Sequence, residues 1–488
     1  MGQSFDTEYR HFIIPEYDNC EALIVYISGL VDTKVIEKDV LAPLMDCPCL
    51  PEEKYFAKRT GRIRKLIQSG VFVPFARETN QWRDLCDAVM EGDTVLFLDG
   101  SGSALILSAK KNEFRSIEEP EAETEVRGAR DGFVENAQTN AALIRRRIKD
   151  YNLRFENLKI GERTKTVVIL VYIESLVNES ILKEVRTRLN RINVDGILES
   201  AYIEEFIEDS PNSVFPQIEN TERPDKASAA ILGGRIAILV DNTPFVLMVP
   251  TVFWNFIESS GDYYQRYHIG TFLRWLRFLS LFLSISLSSL YVLLTSFHQE
   301  MIPTSLALNI AAGRTGVPFP AVIEAFIMEI MLEIIKEAGL RMPKAIGQTV
   351  GFVGALIIGQ GAVAAGLVGP ALVIAIAIAA ICSFAIPAYN MNNSLRLIKF
   401  PLIFLSAIFG ILGYLAGIMA ILLHLLSLRS FGAPFLAPAV PLDKSGFRNV
   451  FIRAPRWSMK ERPGYSSPKE VKRQTGRSLN KPGPLIKK

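Results

Sequence analysis

Among its 488 residues the chain has only five cysteines and four histidines. The cysteines, at Cys20, Cys47, Cys49, Cys86 and Cys382, are odd in number. The first residues, MGQSFDTEYRHF, lack the basic-then-apolar pattern of a secretory signal. Together these exclude a disulfide framework and favour reduced thiols facing a cytosol. Cys47-Pro-Cys49 has no His or second Cys pair at ligand spacing, so no metal is expected there. The histidines His11, His268, His298 and His424 are scattered. There is no P-loop, no dinucleotide fingerprint after a strand and no GxSxG. Gly100-Ser-Gly102-Ser is a turn, because no helix start with Lys and Ser/Thr follows it. No nucleophile–base pair can be named, so neither enzyme nor cofactor is expected.

Charge is missing too, over long stretches. Nearly all Asp, Glu, Lys and Arg lie before Arg277 or after Leu442. A helix needs about 20 mainly apolar residues to cross a bilayer. Residues 278–297 meet this without a charge, and 345–395 and 400–428 contain none. Gly369-Pro370 divides the second run into two spans. The third is longer than one span requires and is expected to tilt or kink at Gly410, Gly413 and Gly417.

Residues 318–339 differ. Glu329, Glu333 and Glu337 fall on one helical face, and Glu324 lies about 140° round from Glu329. Carboxylates facing lipid cost at least about 2.5–3.5 kcal/mol each at mid-bilayer. The helix therefore either lies at the interface or packs its Glu face on water or a partner. The sharper form makes Glu324, Glu329 and Glu333 cation-attracting groups beside a pathway. Within 345–366, Gly347 and Gly351 form a GxxxG pair, and Gly354, Gly359, Gly361 and Gly366 follow. Gly347, Gly351 and Gly354 suit close helix packing. Gln360 is the one strongly polar side chain in IIGQGAVAAG. It reads either as a satisfied amide in a tight helix or, with Gly359, Val363 and Gly366, as pore or gate lining.

Topology is pulled two ways. Arg266, Arg274 and Arg277 place the N-terminal part in the cytoplasm, and the basic tail should lie there as well. An even count follows if the Glu helix is left out, but Arg341, Lys344, Arg396 and Lys399 then lie outside. Counting it reverses both results. The even count is preferred, with both termini cytoplasmic.

The soluble half contains a repeat. LIVYISGLVDTKVIEKDVLAPL from Leu23 matches ILVYIESLVNESILKEVRTRL from Ile169, each an apolar strand followed by an amphipathic helix. GDTVLFLDGS from Gly92 matches GRIAILVDNT from Gly234, each a strand entering an Asp-Gly or Asp-Asn hairpin turn. The expected fold class is therefore two related small α/β domains followed by a polytopic α-helical membrane domain. The expected boundaries are an arm over 1–18, α/β domains at 19–109 and 164–250, and a linker with a basic helix at 110–163. A membrane domain of four to six helices at 251–442 and a basic disordered tail at 443–488 complete the chain. The tail suits attraction to anionic membrane lipids. The helix carrying Arg145, Arg146, Arg147 and Lys149 lacks interleaved aromatics, so no nucleic acid is expected.

Several motifs resemble one family. EPEAETEVRGARDGFVEN with TNAALIRRRIK behind it, TERPD, GRIAILVDNTP and DYYQRY resemble the spore germinant receptor A-subunit family. So do VPFPAVIEAFIMEIMLEIIKEAGLRMPKAIGQ, IIGQGAVAAG and SFGAPFLAP, in the family's order over nearly the entire chain. The resemblance implies a multi-pass subunit of the spore inner membrane with B and C partner subunits. It implies a homo-oligomer forming a nutrient-gated cation path that starts germination. A related stage V sporulation member, acting downstream of the receptors, shares these signatures. Alternatives within the same complex are a secondary transporter and an assembly scaffold.

Overall fold

The computed structural model describes residues 4–14, 20–46, 76–109, 119–120, 122–341, 354 and 357–473. The chain forms two compact units. One comprises Met1–Glu208, Ile218–Thr251 and Arg456–Lys488, and the other Asp209–Gln217 and Val252–Pro455. Cys47, Cys49, Gly347 and Gly351 lie outside the described residues.

The first unit holds two five-stranded antiparallel sheets. Strands β1 (Thr7–Ile14), β2 (Cys20–Ile27), β3 (Ala76–Thr79), β4 (Thr94–Leu98) and β5 (Ala104–Leu107) lie in the order β1-β2-β4-β5-β3. Strands β6 (Leu153–Ile160), β7 (Thr166–Ile173), β8 (Glu219–Thr221), β9 (Ile236–Val240) and β10 (Val246–Val249) repeat it as β6-β7-β9-β10-β8. The registers coincide. Thr7 faces Ile27 where Leu153 faces Ile173. Ala22 faces Leu98 where Val168 faces Val240, and Thr79 faces Ala104 where Thr221 faces Val246. The helices match as well, with Trp82–Met90 answering to Pro224–Leu232. Apolar residues alternating on the strands give each sheet its own core, around Ile24, Leu96 and Leu105 in one and Ile169, Val171 and Leu239 in the other. One fold is used twice.

The boundaries shift from those expected. The segment expected as an arm supplies β1, and the expected linker supplies β6. The basic helix expected in the linker spans Ala137–Arg147. Arg145 is buried, donating from Nε to Asp6 at 2.8 Å and from Nη2 to the Leu153 carbonyl at 3.1 Å. The linker motif wraps the second sheet. Glu123 meets Lys226 at 2.8 Å, and Arg223 donates to the carbonyls of Glu123 and Ala129, each at 3.0 Å. The EPEAETEVRG and TERPD motifs thus meet in the fold.

The described part of the tail is folded, contrary to the expected disorder. Residues Lys444–Phe451 form a helix in the second unit, and 456–473 belong to the first. Basic and proline-rich composition reads as unfolded, but Ser466 finds a fully buried site.

Candidate functional site

The second unit is helical. The helices Tyr267–Ser296 and Tyr389–Ser427 are long and apolar enough to cross a membrane, and Pro370–Phe384 is shorter. The uncharged run expected as one tilted or kinked span is instead two helices. Gly410 has φ 59° and ψ −137°, outside helical space. A Cβ on Gly413 would overlap the Leu405 carbonyl, and one on Gly417 would lie 2.6 Å from Leu402 Cδ1. In a straight helix residues 402 and 417 would stand about 22 Å apart. The element is therefore a helical hairpin with arms 389–409 and 411–427. Both outer ends meet one short segment: Ser394 donates to the Val214 carbonyl at 2.6 Å, and His424 Nε2 lies 2.9 Å from Ser213 Oγ.

The Glu-striped helix spans Ala321–Arg341. Its carboxylates meet partners inside the chain, as desolvation requires. Glu329 is fully buried, accepts from Ser288 at 2.6 Å and is paired with Lys399. Lys399 also reaches Glu333 at 3.2 Å. Glu333 takes Arg396 through Nε at 2.6 Å and has Lys336 at 3.8 Å. Glu324, also fully buried, accepts from Arg314 at 2.8 Å and from the Gly369 N–H at 2.9 Å. Glu324, Glu329 and Glu333 thus each have a cationic partner, and Glu333 has three. Arg396 and Lys399 stand out in the sequence as charges beside uncharged runs, but nothing there assigns them to these carboxylates.

The Gly-rich segment ends against this cluster. Ile357–Gly361 is a π-helical turn, a form common at functional sites. Ala362–Ala364 continues it, and Gly366 then turns left-handed at φ 66°. A Cβ on Gly366 would sit 3.3 Å from the Gly316 carbonyl oxygen. Gly369 then donates to Glu324. Gln360 is exposed, while Gly359, Val363 and Gly366 are half-buried. Gly354 sits where a Cβ would make ordinary contact with Ile335 at 3.5 Å. Glu324 is thus brought to the end of the candidate gate segment, while Glu329 and Glu333 share Lys399.

The DYYQRY motif also has a structural reason. Asp262, fully buried, accepts from Arg274 at 3.1 Å and from Arg277 at 2.7 Å. Arg274 donates onward to the Asn449 carbonyl at 2.5 Å, and Arg453 to that of Tyr263 at 3.1 Å. The start of the Tyr267–Ser296 helix and the end of the unit are held at one carboxylate.

Residues 1–465 match the family described as Bacillus/Clostridium GerA spore germination protein. The chain is 44% identical over 474 residues to spore germination protein KA of Bacillus subtilis (strain 168), covering 97% of this chain and 86% of that one. It is 42% identical over 444 residues to the uncharacterized membrane protein YfkQ of the same organism, covering 91% and 85%. It is 38% identical over 447 residues to spore germination protein GerLA of Bacillus cereus, covering 92% and 89%. The crystal structure of the N-terminal domain of the A subunit of the Bacillus megaterium spore germinant receptor GerK3 overlays with a TM-score of 0.39 at 37% identity. That overlay covers 52% of this chain and 91% of that one.

Proposed function

The chain belongs to the Bacillus/Clostridium GerA spore germination protein family, and on that premise we propose that it is the A subunit of a nutrient germinant receptor. It resides in the spore inner membrane with B and C subunits and oligomerises to form the receptor's cation path. The observation that carries this reading is Gln360. It is an exposed amide on a π-turn within a segment that has no charge over 345–395. Such a group in a bilayer faces water or another subunit. A ring of copies would give it both and place Gly359, Val363 and Gly366 beside it.

In this path the carboxylates divide. Glu324 and Glu329 are buried and paired, and they frame the pathway. Glu333, whose side chain keeps 19% of its exposure, is held by Arg396, Lys399 and Lys336 and lines the same wall.

The topology is even. Both outer ends of the hairpin meet residues 213 and 214, so the last run leaves and returns on one side. With the Glu helix as a pass and the last run as a hairpin, six passes result. Arg341, Lys344 and the basic tail then all lie on the cytoplasmic side. The conflict between loops and tail came from counting the hairpin as one span.

Reconstituted oligomers should pass potassium, and Val363→Trp or Gln360→Trp should cut both flux and germination at least tenfold. Unchanged flux and germination in both variants would overturn the proposal. Gly369-Pro370 opens a helix directly on a buried carboxylate, the feature that favours a secondary transporter instead. Saturable uptake by this chain alone would mark that reading.

A further inference from the structure

The two α/β domains share one end face. In the first, Gly92 (φ 88°) turns against Leu30, whose carbonyl oxygen lies 3.3 Å from where a Cβ would stand. In the second, Gly234 (φ 87°) turns against Leu176, with the carbonyl oxygen at 3.4 Å. What covers the face differs. In the first domain Ala142, from the Ala137–Arg147 helix of the second, packs at Gly29 and closes the apolar cluster of Leu30, Ala88 and Met90. Among the described residues no third such sheet packs on the second.

A short strap takes that place. Residues 460–473 close on themselves, with the Arg462 N–H on the Val471 carbonyl at 2.8 Å and the Arg473 N–H on that of Lys460 at 2.7 Å. Ser466, fully buried, donates to the Gly233 carbonyl at 2.8 Å. Pro468 lies against Gly234, leaving 2.9 Å to where a Cβ would be. The Lys469 N–H donates to the Leu176 carbonyl at 3.0 Å, and its ammonium meets Glu179 at 2.7 Å and the Glu174 carbonyl at 3.3 Å. Arg462 donates to the Leu232 carbonyl at 3.2 Å. The recognition is by backbone carbonyls at two turn ends, one Gly-sized space and one acid.

We propose that this end face of the second α/β domain is a peptide-binding surface and that its ligand is the chain's own basic strap, capping the repeat where the next domain would stack. A stacked array needs a distinct terminal cover, and the strap supplies it. The cap stands whether or not the helical unit conducts ions.

The test uses the full chain in its own membranes. A carbodiimide joins a lysine amine to a carboxylate only in direct contact. It should link Lys469 to Glu179 in the monomer-sized band, read by mass spectrometry. Lys149 and Glu91, 3.5 Å apart, serve as the positive control. Ser466→Arg cannot fit the buried site. It should lower the 469–179 link at least tenfold, leave the control link unchanged and raise tryptic cleavage after Lys472 about tenfold. Absence of the 469–179 link beside a present control would overturn the proposal. So would a link found only in dimer-sized bands, or a strap unmoved by Ser466→Arg.

Discussion

Lys399, on the arm 389–409, is buried against Glu329 of the Glu helix, and Ser288 of a third helix holds the other carboxylate oxygen at 2.6 Å. Three helices are joined at one charge pair away from water. Removing one partner leaves a buried charge uncompensated, at a cost of about 3–5 kcal/mol, whereas an apolar pair of similar volume is near neutral. Glu329→Leu and Lys399→Met should therefore each lower thermal stability in detergent steeply. The double variant should recover most of the loss. Additive losses in a double-mutant cycle would show that the pair does not act as a unit.

Glu324 does two jobs that substitutions can separate. It accepts from Arg314 and from the Gly369 N–H that opens the Pro370–Phe384 helix. Glu324→Gln keeps an acceptor for Gly369 and loses the charge facing Arg314, for about 1.5–3 kcal/mol. Glu324→Ala loses both and should cost more. Unfolding in detergent should rank wild type above Gln above Ala. If Gln and Ala were equal, the Gly369 bond would carry no weight.

The repeat was legible in the sequence because each copy keeps both signals that fix a sheet. These are an apolar strand of period two and an Asp-led turn with a left-handed second residue, Gly100 and Asn242. The Glu stripe was legible as a face needing partners. The partners were not, since Lys399 lies 70 positions from Glu329, and pattern along the chain carries no such distance. Nor was the strap, whose binding uses backbone carbonyls that every residue offers. The hairpin escaped because an uncharged run with three glycines reads alike whether it bends slightly or reverses.

Burial and the neighbouring Glu208, Glu199 and Glu205 raise the Glu204 carboxyl from 4.5 to about 8. The folded chain thus keeps a proton that the unfolded chain gives up near 4.5. Stability from this group is complete below pH 4.5, falls as pH rises through the interval, and levels off above 8. Glu204→Gln should flatten that fall and leave the variant more stable than wild type at pH 8. Thermal melts from pH 5 to 8.5 would check it, and parallel curves would refute it.

The reversal at Gly410 can be tested without a structure. Its φ of 59° with ψ of −137° suits glycine, and a Cβ there would meet Phe297 Cγ at 3.2 Å. Gly410→Ala should cost about 1–3 kcal/mol of backbone strain. Gly339→Ala makes the contrast, since nothing lies within 4 Å of a Cβ there and alanine favours the helix by about 0.8–1.0 kcal/mol. A cysteine pair decides the geometry itself. Gly417 and Leu402 touch in the hairpin, whereas a continuous helix separates them by about 22 Å, beyond any disulfide. Leu402→Cys with Gly417→Cys should oxidise within one chain in membranes, and Leu402→Cys with Leu412→Cys should do so far less, because Leu412 is exposed at 73%. A 402–417 pair that stays reduced while the chain remains folded would restore the single long span, and with it an odd number of passes.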